Sequence, residues 1–278
     1  MTSAADSAFD VGFPDYAVSF RFSNHGYLDH IANLVQQNGL AAYEAPTPSL
    51  FVALCREARG LVLDVGANTG LFTLLAAAAN PTIQVCAFEP LPEVLALLEA
   101  NIGLNPELAP RIAVQRIGLS RESGQVTFYE TINDFGLVAT SSSIELQHAS
   151  EIGQYREQTI ETSSLDEWSE RLGPAPVQFM KMDVEGHEHA VIEGGRRFLA
   201  RHRPYLTVEV LGPAEKRPIQ DFLLEAGYLD FAIAPGVLRH CTSIRFHPDA
   251  WNHLLCPAER AGRLLGICRG LGLQIHID

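Results

Sequence analysis

Asp64-Val65-Gly66-Ala67-Asn68-Thr69-Gly70 follows the apolar run Leu61 to Leu63 and leads into the helix-like run Leu71 to Ala79. The stretch reads as a strand end, a glycine turn and a helix start. Glycine at 66 and 70 lets the backbone bend tightly and approach a ligand, and the unpaired N–H groups of the first helical turn attract an anionic or polar group. A second strand-like run, Ile83 to Phe88, ends in Glu89-Pro90. An acid at the end of a second strand can accept hydrogen bonds from both hydroxyls of a ribose.

From Gly60 onward strand and helix patterns alternate. Strands fall near 61–65, 83–88, 111–117, 177–182, 205–210, 227–233 and 240–246, and helices near 70–79, 91–102, 187–202 and 215–226. Strands separated by helices imply right-handed parallel crossovers, hence a doubly wound, mostly parallel α/β sheet. Residues 1–59 read as an N-terminal extension with two stretches of helical periodicity, 60–246 as the main domain, and 247–278 as a C-terminal helix and tail, the helix spanning Trp251 to Leu265. The connection 119–176 is too long for an ordinary αβ loop. Within it Gly124 to Tyr129 alternates like a strand, with Gln158 to Thr162 as its partner. The polar stretch Thr140-Ser141-Ser142-Ser143 between them is either a surface loop or a lid whose hydroxyls contact substrate.

Composition narrows the function. The formal charge of −13, from 33 acidic and 20 basic residues, repels a phosphate-rich polymer, which argues against nucleic acid as partner. The chain start lacks the basic and apolar regions of a secretory signal, and no apolar run is long enough to span a membrane, so a cytoplasmic protein is expected. The five cysteines, 55, 86, 241, 256 and 268, show no C-x-x-C spacing, which disfavours a disulfide framework or a zinc knuckle. Self-association into a homo-oligomer stays open.

The glycine turn departs from the dinucleotide spacing G-x-G-x-x-G, because Asn68 holds the second glycine position. A third element adds to it: Phe179-Met180-Lys181-Met182-Asp183-Val184-Glu185-Gly186-His187-Glu188, followed by Val191-Ile192-Glu193-Gly194-Gly195. "DVGANTG", "AFEP", "GLS" at 118–120 and "KMDVEGHE", in this order, resemble the FkbM family of S-adenosylmethionine-dependent methyltransferases from about Leu61 to Val210. The resemblance implies a class I methyltransferase fold, a seven-stranded Rossmann-like sheet with helices on both faces. It also implies methylation of hydroxyl groups of sugars or of polyketide and related natural products, and Asn68 belongs to the family pattern.

In such a sheet, ligands bind outside the carboxyl ends of the strands. The loop residues Asp64, Gly66, Ala67, Asn68 and Gly70 would then surround the methionine part of the cofactor, Glu89 would hold its ribose, and Leu119 with Ser120 would border adenine. Asp183 would stand at the methyl end. Glu185 and the hydroxyls of Ser141, Ser142 and Ser143 are candidate substrate contacts.

An aliphatic hydroxyl is a poor nucleophile, so a base or a metal must assist. His187 has the side chain best suited to proton acceptance near neutrality, against a packing or capping role at its helix start. Asp183 and Glu209, capping adjacent strands, form the alternative, a magnesium pair. Glu209 otherwise reads as a structural acid paired with Lys181 or Arg203. An NAD-dependent oxidoreductase shares the turn and the acid and remains a rival, as does a non-catalytic binding module. An amine acceptor stays open beside the hydroxyl.

Overall fold

The computed structural model describes residues 7–132, Val138 and 141–277. Met1 to Asp6, read above for a targeting signal, and Thr140 of the hydroxyl-rich stretch lie outside the described residues. The N-terminal extension opens on an antiparallel hairpin, β1 (Ala8–Phe13) and β2 (Val18–Ser23), before its two helices α1 (His30–Asn38) and α2 (Thr47–Glu57). The two stretches of helical periodicity, 27–37 and 49–58, form these helices, and the hairpin before them is a strand pair that the reading of a helical extension did not include. In β2, Val18, Phe20 and Phe22 alternate inward, a period of two that seats them in the core. Asn101 and Asn105 hold β2 to the main domain. Asn101 Oδ1 accepts from Ser23 N (3.0 Å) and Asn105 Oδ1 from Arg21 N (2.7 Å), while Asn101 Nδ2 donates to Thr69 O in the glycine turn (2.8 Å).

Strands and helices then alternate: β3 (Leu61–Val65), α3 (Leu71–Ala79), β4 (Gln84–Phe88), α4 (Pro92–Gly103) and β5 (Ile112–Gln115). A three-stranded side sheet follows, made of β6 (Gly118–Ser120), β7 (Gly124–Thr131) and β8 (Tyr155–Ser164), with α5 (Leu146–Ile152) between its last two strands. β7 and β8 pair antiparallel with Val126 opposite Ile160, the pairing read from the alternation. Next come α6 (Leu165–Ser169), β9 (Val177–Met182), α7 (Glu188–Glu193), α8 (Arg196–His202), β10 (Tyr205–Glu209), α9 (Arg217–Ala226), β11 (Tyr228–Ala234), β12 (Val237–Cys241), β13 (Asn252–Pro257), α10 (Ala261–Leu271) and β14 (Gln274–His276).

The main sheet has the order β14-β12-β11-β13-β10-β9-β3-β4-β5. It is the doubly wound, mostly parallel Rossmann-like α/β sheet expected, enlarged to nine strands by β12 and β14 at one edge. β13 runs antiparallel to both its neighbours, β10 and β11. One apolar layer holds Phe22, Leu50, Phe51 and Leu74, and the other Trp168, Val191, Phe198 and Phe222. No helix among the described residues is long and apolar enough to cross a membrane.

Three element boundaries differ from the sequence reading. The last core strand is Asn252–Pro257, placed above in a helix, and 240–246 supplies only the end of β12. His253 to Cys256 are all buried, and a strand covered on both faces gives a continuous apolar run that lacks the alternation of a half-exposed one. The helix expected over 187–202 is two, α7 and α8, broken at Gly194 and Gly195. A Cβ on Gly194 would stand 2.2 Å from Ser120 O, so the chain turns there to let β6 approach. The third core strand, read over 111–117, is β5 (Ile112–Gln115), and Gly118–Ser120 beyond it leaves the main sheet to pair with β8.

Candidate active site

The carboxyl ends of β3, β4, β9 and β10 meet around the glycine turn. Gly66 N and Ala67 N both donate to Phe88 O (3.1 and 2.9 Å), tying the turn to β4. Gly66 has φ +77°, and a Cβ there would lie 1.8 Å from Asp183 O. Its glycine is therefore required by the neighbouring strand end, apart from any ligand. Gly70 (φ +97°) begins α3, and a Cβ on it would meet Leu98 Cδ1 at 2.5 Å. Asn68 takes φ +50°, a left-handed conformation that asparagine tolerates, and its Oδ1 accepts from Thr69 N (2.7 Å).

Glu89 sits at the end of β4, buried, with Oε2 accepting from Asn68 N and Oε1 from Leu91 N, both at 3.0 Å. Burial pushes its carboxyl up to about 7, against the lowering effect of those two bonds. Each oxygen keeps acceptor capacity beyond its backbone bond.

Two cavities flank this turn. The first, about 610 Å³ with its open mouth, runs from Glu89 between Leu91, Val94, Leu119, Phe128, Ile144 and Ile160. The second, about 810 Å³, is lined by His30, Tyr43 and Glu44 from the N-terminal extension, by Asp64, Phe72 and Lys181, and by Glu209. They share Gly66, Asn68, Asp183 and Glu185. The extension, whose role the sequence left unstated, thus supplies one wall of the second cavity.

Buried charges are grouped in that second cavity. Lys181 Nζ donates to Asp183 Oδ2 (2.9 Å) and lies 4.6 Å from the centre of the Phe72 ring. Burial opposes its charge, but Asp183, Asp64 and Glu44 outweigh burial and hold the ammonium above its usual value. Asp64 is fully buried; Oδ2 accepts from Thr73 Oγ1 (2.5 Å) and Oδ1 has no partner. Glu209 Oε2 is likewise buried without a partner. Burial, then the charges of Asp183, Glu185, Glu188 and Glu44, raise Glu209 well above the carboxylate range. The pairing of Glu209 with Lys181 or Arg203 does not form, because Lys181 is taken by Asp183 and Arg203 by Glu259. One carboxylate oxygen each from Asp183, Glu185 and Glu209 lie within 4.8 Å of one another, so Glu185 joins the pair named from sequence.

His187 stands in the wall of the first cavity and does not line the second. Its Nδ1 lies 2.6 Å from Glu145 Oε1 and its Nε2 2.9 Å from Ser120 Oγ. The carboxylate accepts from Nδ1, which leaves Nε2 to accept from the serine hydroxyl, so both ring nitrogens are engaged. The hydrogen bond from His187 holds the Glu145 carboxyl below its usual range. His187 lines the first cavity, and Ser120 is buried behind it rather than lining either one.

The hydroxyl-rich stretch behaves as a cover fastened over the first cavity. Ser142 lines that cavity, whereas Ser143 is fully buried and donates to Glu185 O (2.7 Å). Ser141 lines neither cavity. His148 Nε2 on α5 stands 3.1 Å from Glu185 Oε2, and that neighbouring carboxylate raises the imidazole above its usual value. Glu145 and His148 were missed in sequence because nothing local marks them.

A reversed strand inserted between the fifth and sixth parallel strands, here β13 between β10 and β11, together with a glycine turn and an acid ending the second strand, defines a class I methyltransferase fold. Residues 64–229, more than half of the chain, match the model described as the methyltransferase FkbM domain, and the chain belongs to that family. Over 170 residues it is 28% identical to the 2-O-methyltransferase NoeI of Sinorhizobium fredii, which covers 57% of this chain and 68% of that protein. Over 157 residues it is 32% identical to the 31-O-demethyl-FK506 methyltransferase FkbM of Streptomyces tacrolimicus, covering 48% of this chain and 58% of the relative. The matches thus span between about half and two thirds of these relatives' lengths. The crystal structure of methyltransferase FkbM from Methylobacillus flagellatus superposes with a TM-score of 0.47 at 19% identity, over 71% of this chain and 43% of that one.

Proposed function

We propose that the protein is an S-adenosylmethionine-dependent O-methyltransferase acting on a hydroxyl of a small, hydroxyl-rich molecule such as a sugar or a natural-product intermediate. The observation that carries this reading is the pair of cavities joined at Gly66, Asn68, Asp183 and Glu185, one apolar and closed by Glu89, the other acidic. The residues present fit the cofactor. The apolar walls suit a purine, the open acceptor sites of Glu89 suit ribose hydroxyls, and the unpartnered Asp64 Oδ1 suits an ammonium group beside the turn.

When bound, S-adenosylmethionine supplies an electrophilic methyl group. The protein's own task is to hold the acceptor oxygen in line and to remove its proton. Glu209 Oε2, unpartnered and in the wall of the second cavity, takes that proton. Asp183 is fixed by Lys181, and Glu185 by His148, so the neighbouring carboxylates orient hydroxyls by accepting from them. Ser120, His187 and Glu145 position the cover. An alcohol requires such a base more than a neutral amine does, which favours the hydroxyl acceptor. The 2-O-methyltransferase NoeI and the 31-O-demethyl-FK506 methyltransferase of Streptomyces tacrolimicus, both similar to this chain, support the same choice.

The carboxylate trio favours a second reading, in which Asp183, Glu185 and Glu209 hold a hard divalent cation such as magnesium that lowers the acceptor's pKa. Methyl transfer to panels of glycosides, polyketide alcohols and amines, with and without EDTA, separates the two. Under the base reading, activity survives EDTA and Glu209→Gln lowers kcat by about 10²–10⁴ with cofactor binding intact. Loss in EDTA with recovery on adding magnesium makes the trio ligands, and transfer to amines alone overturns the hydroxyl assignment.

A further inference from the structure

Far along the main sheet, β11, β12 and β13 bring a second cluster of chemistry-bearing side chains together. Asp230 is the Cα partner of Cys241 on β12 and of Leu255 on β13, and His253 lies two residues before Leu255. The period of two along a strand therefore puts Asp230, Cys241 and His253 on one face. A ligand atom from each lies within 4.8 Å of the others. His247, in the connection between β12 and β13, adds Nε2 at 3.6 Å from Cys241 Sγ, and its ring centre is 5.7 Å from that of His253.

The hydrogen bonding of this group is incomplete. His253 Nδ1 and Asp230 Oδ1 are 2.7 Å apart, with side chains 0% and 1% exposed. The carboxylate accepts, so Nδ1 carries the proton and Nε2 keeps its lone pair. Nε2 is buried without a donor, and so is the second carboxylate oxygen, Asp230 Oδ2. A buried acceptor left unsatisfied is costly, and a cation at Nε2 would satisfy that nitrogen. The sulfur and nitrogen match a particular class of cation. Tetrahedral zinc, with Zn–S about 2.3 Å and Zn–N about 2.0–2.1 Å, sets sulfur and nitrogen ligands about 3.6 Å apart.

We propose that Cys241, His247 and His253 bind a divalent transition-metal ion of the zinc type, with Asp230 orienting the His253 ring through Nδ1. The spacing, Cys241-x5-His247-x5-His253, is not the C-x-x-C of a zinc knuckle, and strand pairing rather than sequence proximity assembles it. Binding exchanges the Cys241 thiol proton, released to solvent, for the ion. Cys241 and His247 are partly exposed, which gives the ion a way in. Two cations, Arg239 and Arg245, act on Cys241 and His247, and Arg239 is held by Asp249 (2.7 Å). The ion would clamp the 242–251 connection to β13, where Asn252 pairs with Glu209 and donates to Glu44 (3.0 Å) on the wall of the second cavity.

Cobalt titration of the metal-stripped protein tests the site. A sulfur ligand gives a near-ultraviolet thiolate-to-cobalt charge-transfer band, which neither the carboxylate trio nor Glu145, His187 and His189, whose ligand atoms also lie within 4.8 Å of one another, can produce. The band should saturate at about one equivalent, disappear when zinc is added, be absent in Cys241→Ser, and need about tenfold or more cobalt in His247→Ala and His253→Asn. A second measurement uses the unmodified chain and so does not depend on how variants fold. Zinc should slow alkylation of Cys241 by about tenfold or more, as mapped on peptides. No band, a band retained in Cys241→Ser, or alkylation of Cys241 indifferent to zinc overturns the proposal.

Discussion

Glu89 shows how one buried carboxylate couples cofactor binding to pH. Its carboxyl titrates near 7 in the ligand-free protein because burial disfavours its charge. Ribose hydroxyls donate to the ionised form, so affinity for S-adenosylhomocysteine should climb as pH rises from 6 to 8 and fall as Glu89 protonates. Calorimetry across that range checks it, and a flat profile would show that Glu89 does not meet the ribose. Glu89→Gln should weaken binding by about 1.5–3 kcal/mol for each charge-assisted bond lost, roughly tenfold or more in Kd. His187 gives a contrasting case. Because both ring nitrogens already have partners, His187→Ala should raise the KM for cofactor by loosening Glu145 and Ser120 while the pH dependence of kcat stays unchanged. Loss of the acid-side limb of that profile would restore His187 as the base.

At the scale of elements, glycines decide how closely the strands and helices approach. Gly66→Ala and Gly194→Ala each drive a Cβ against a backbone oxygen, 1.8 and 2.2 Å away. Each should lower stability by about 1–3 kcal/mol or more, while Gly103→Ala on α4, with open space around it, should not. Thermal melts of the three variants test this ranking. The same elements show what the sequence could tell. The β3 turn, the Glu89 end of β4 and the β7 to β8 pairing were legible because turn chemistry and alternation are local. β13 was not, since burial on both faces erased its alternation, and the split between α7 and α8 depends on the backbone of β6. At the site, Asp64, Gly66, Asn68, Glu89 and Asp183 do gather around one turn. Glu145, His148, Tyr43 and Glu44 come from segments whose position only the fold supplies. The described part of the connection from β7 to α5 acts as a cover over the apolar cavity through Ser142 and Ser143, and not as a wall of the acidic one.

Across the molecule, seven acids share one direction. Burial raises Asp29, Glu44, Asp64, Glu185 and Glu209, and takes Glu89 to about 7 and Glu188 to about 8. At these groups the folded protein binds protons more tightly than the unfolded chain. For Glu89 and Glu188, whose unfolded carboxyls titrate near 4.5, the stabilising contribution is full below that value and is lost as pH rises through 7 and 8. The ligand-free protein should therefore melt at a higher temperature at pH 5.5 than at pH 8, and cofactor should restore more stability at pH 8 than at pH 6. Melting curves at those pH values check both. The most direct measurement of the central claim is the thermal shift of this protein with S-adenosylhomocysteine and, separately, with NAD. At about 100 times its dissociation constant, S-adenosylhomocysteine should add roughly 2.7 kcal/mol of stability, with the shift reduced in Glu89→Gln, and NAD should add nothing. Stabilisation by NAD with none from S-adenosylhomocysteine would contradict the account.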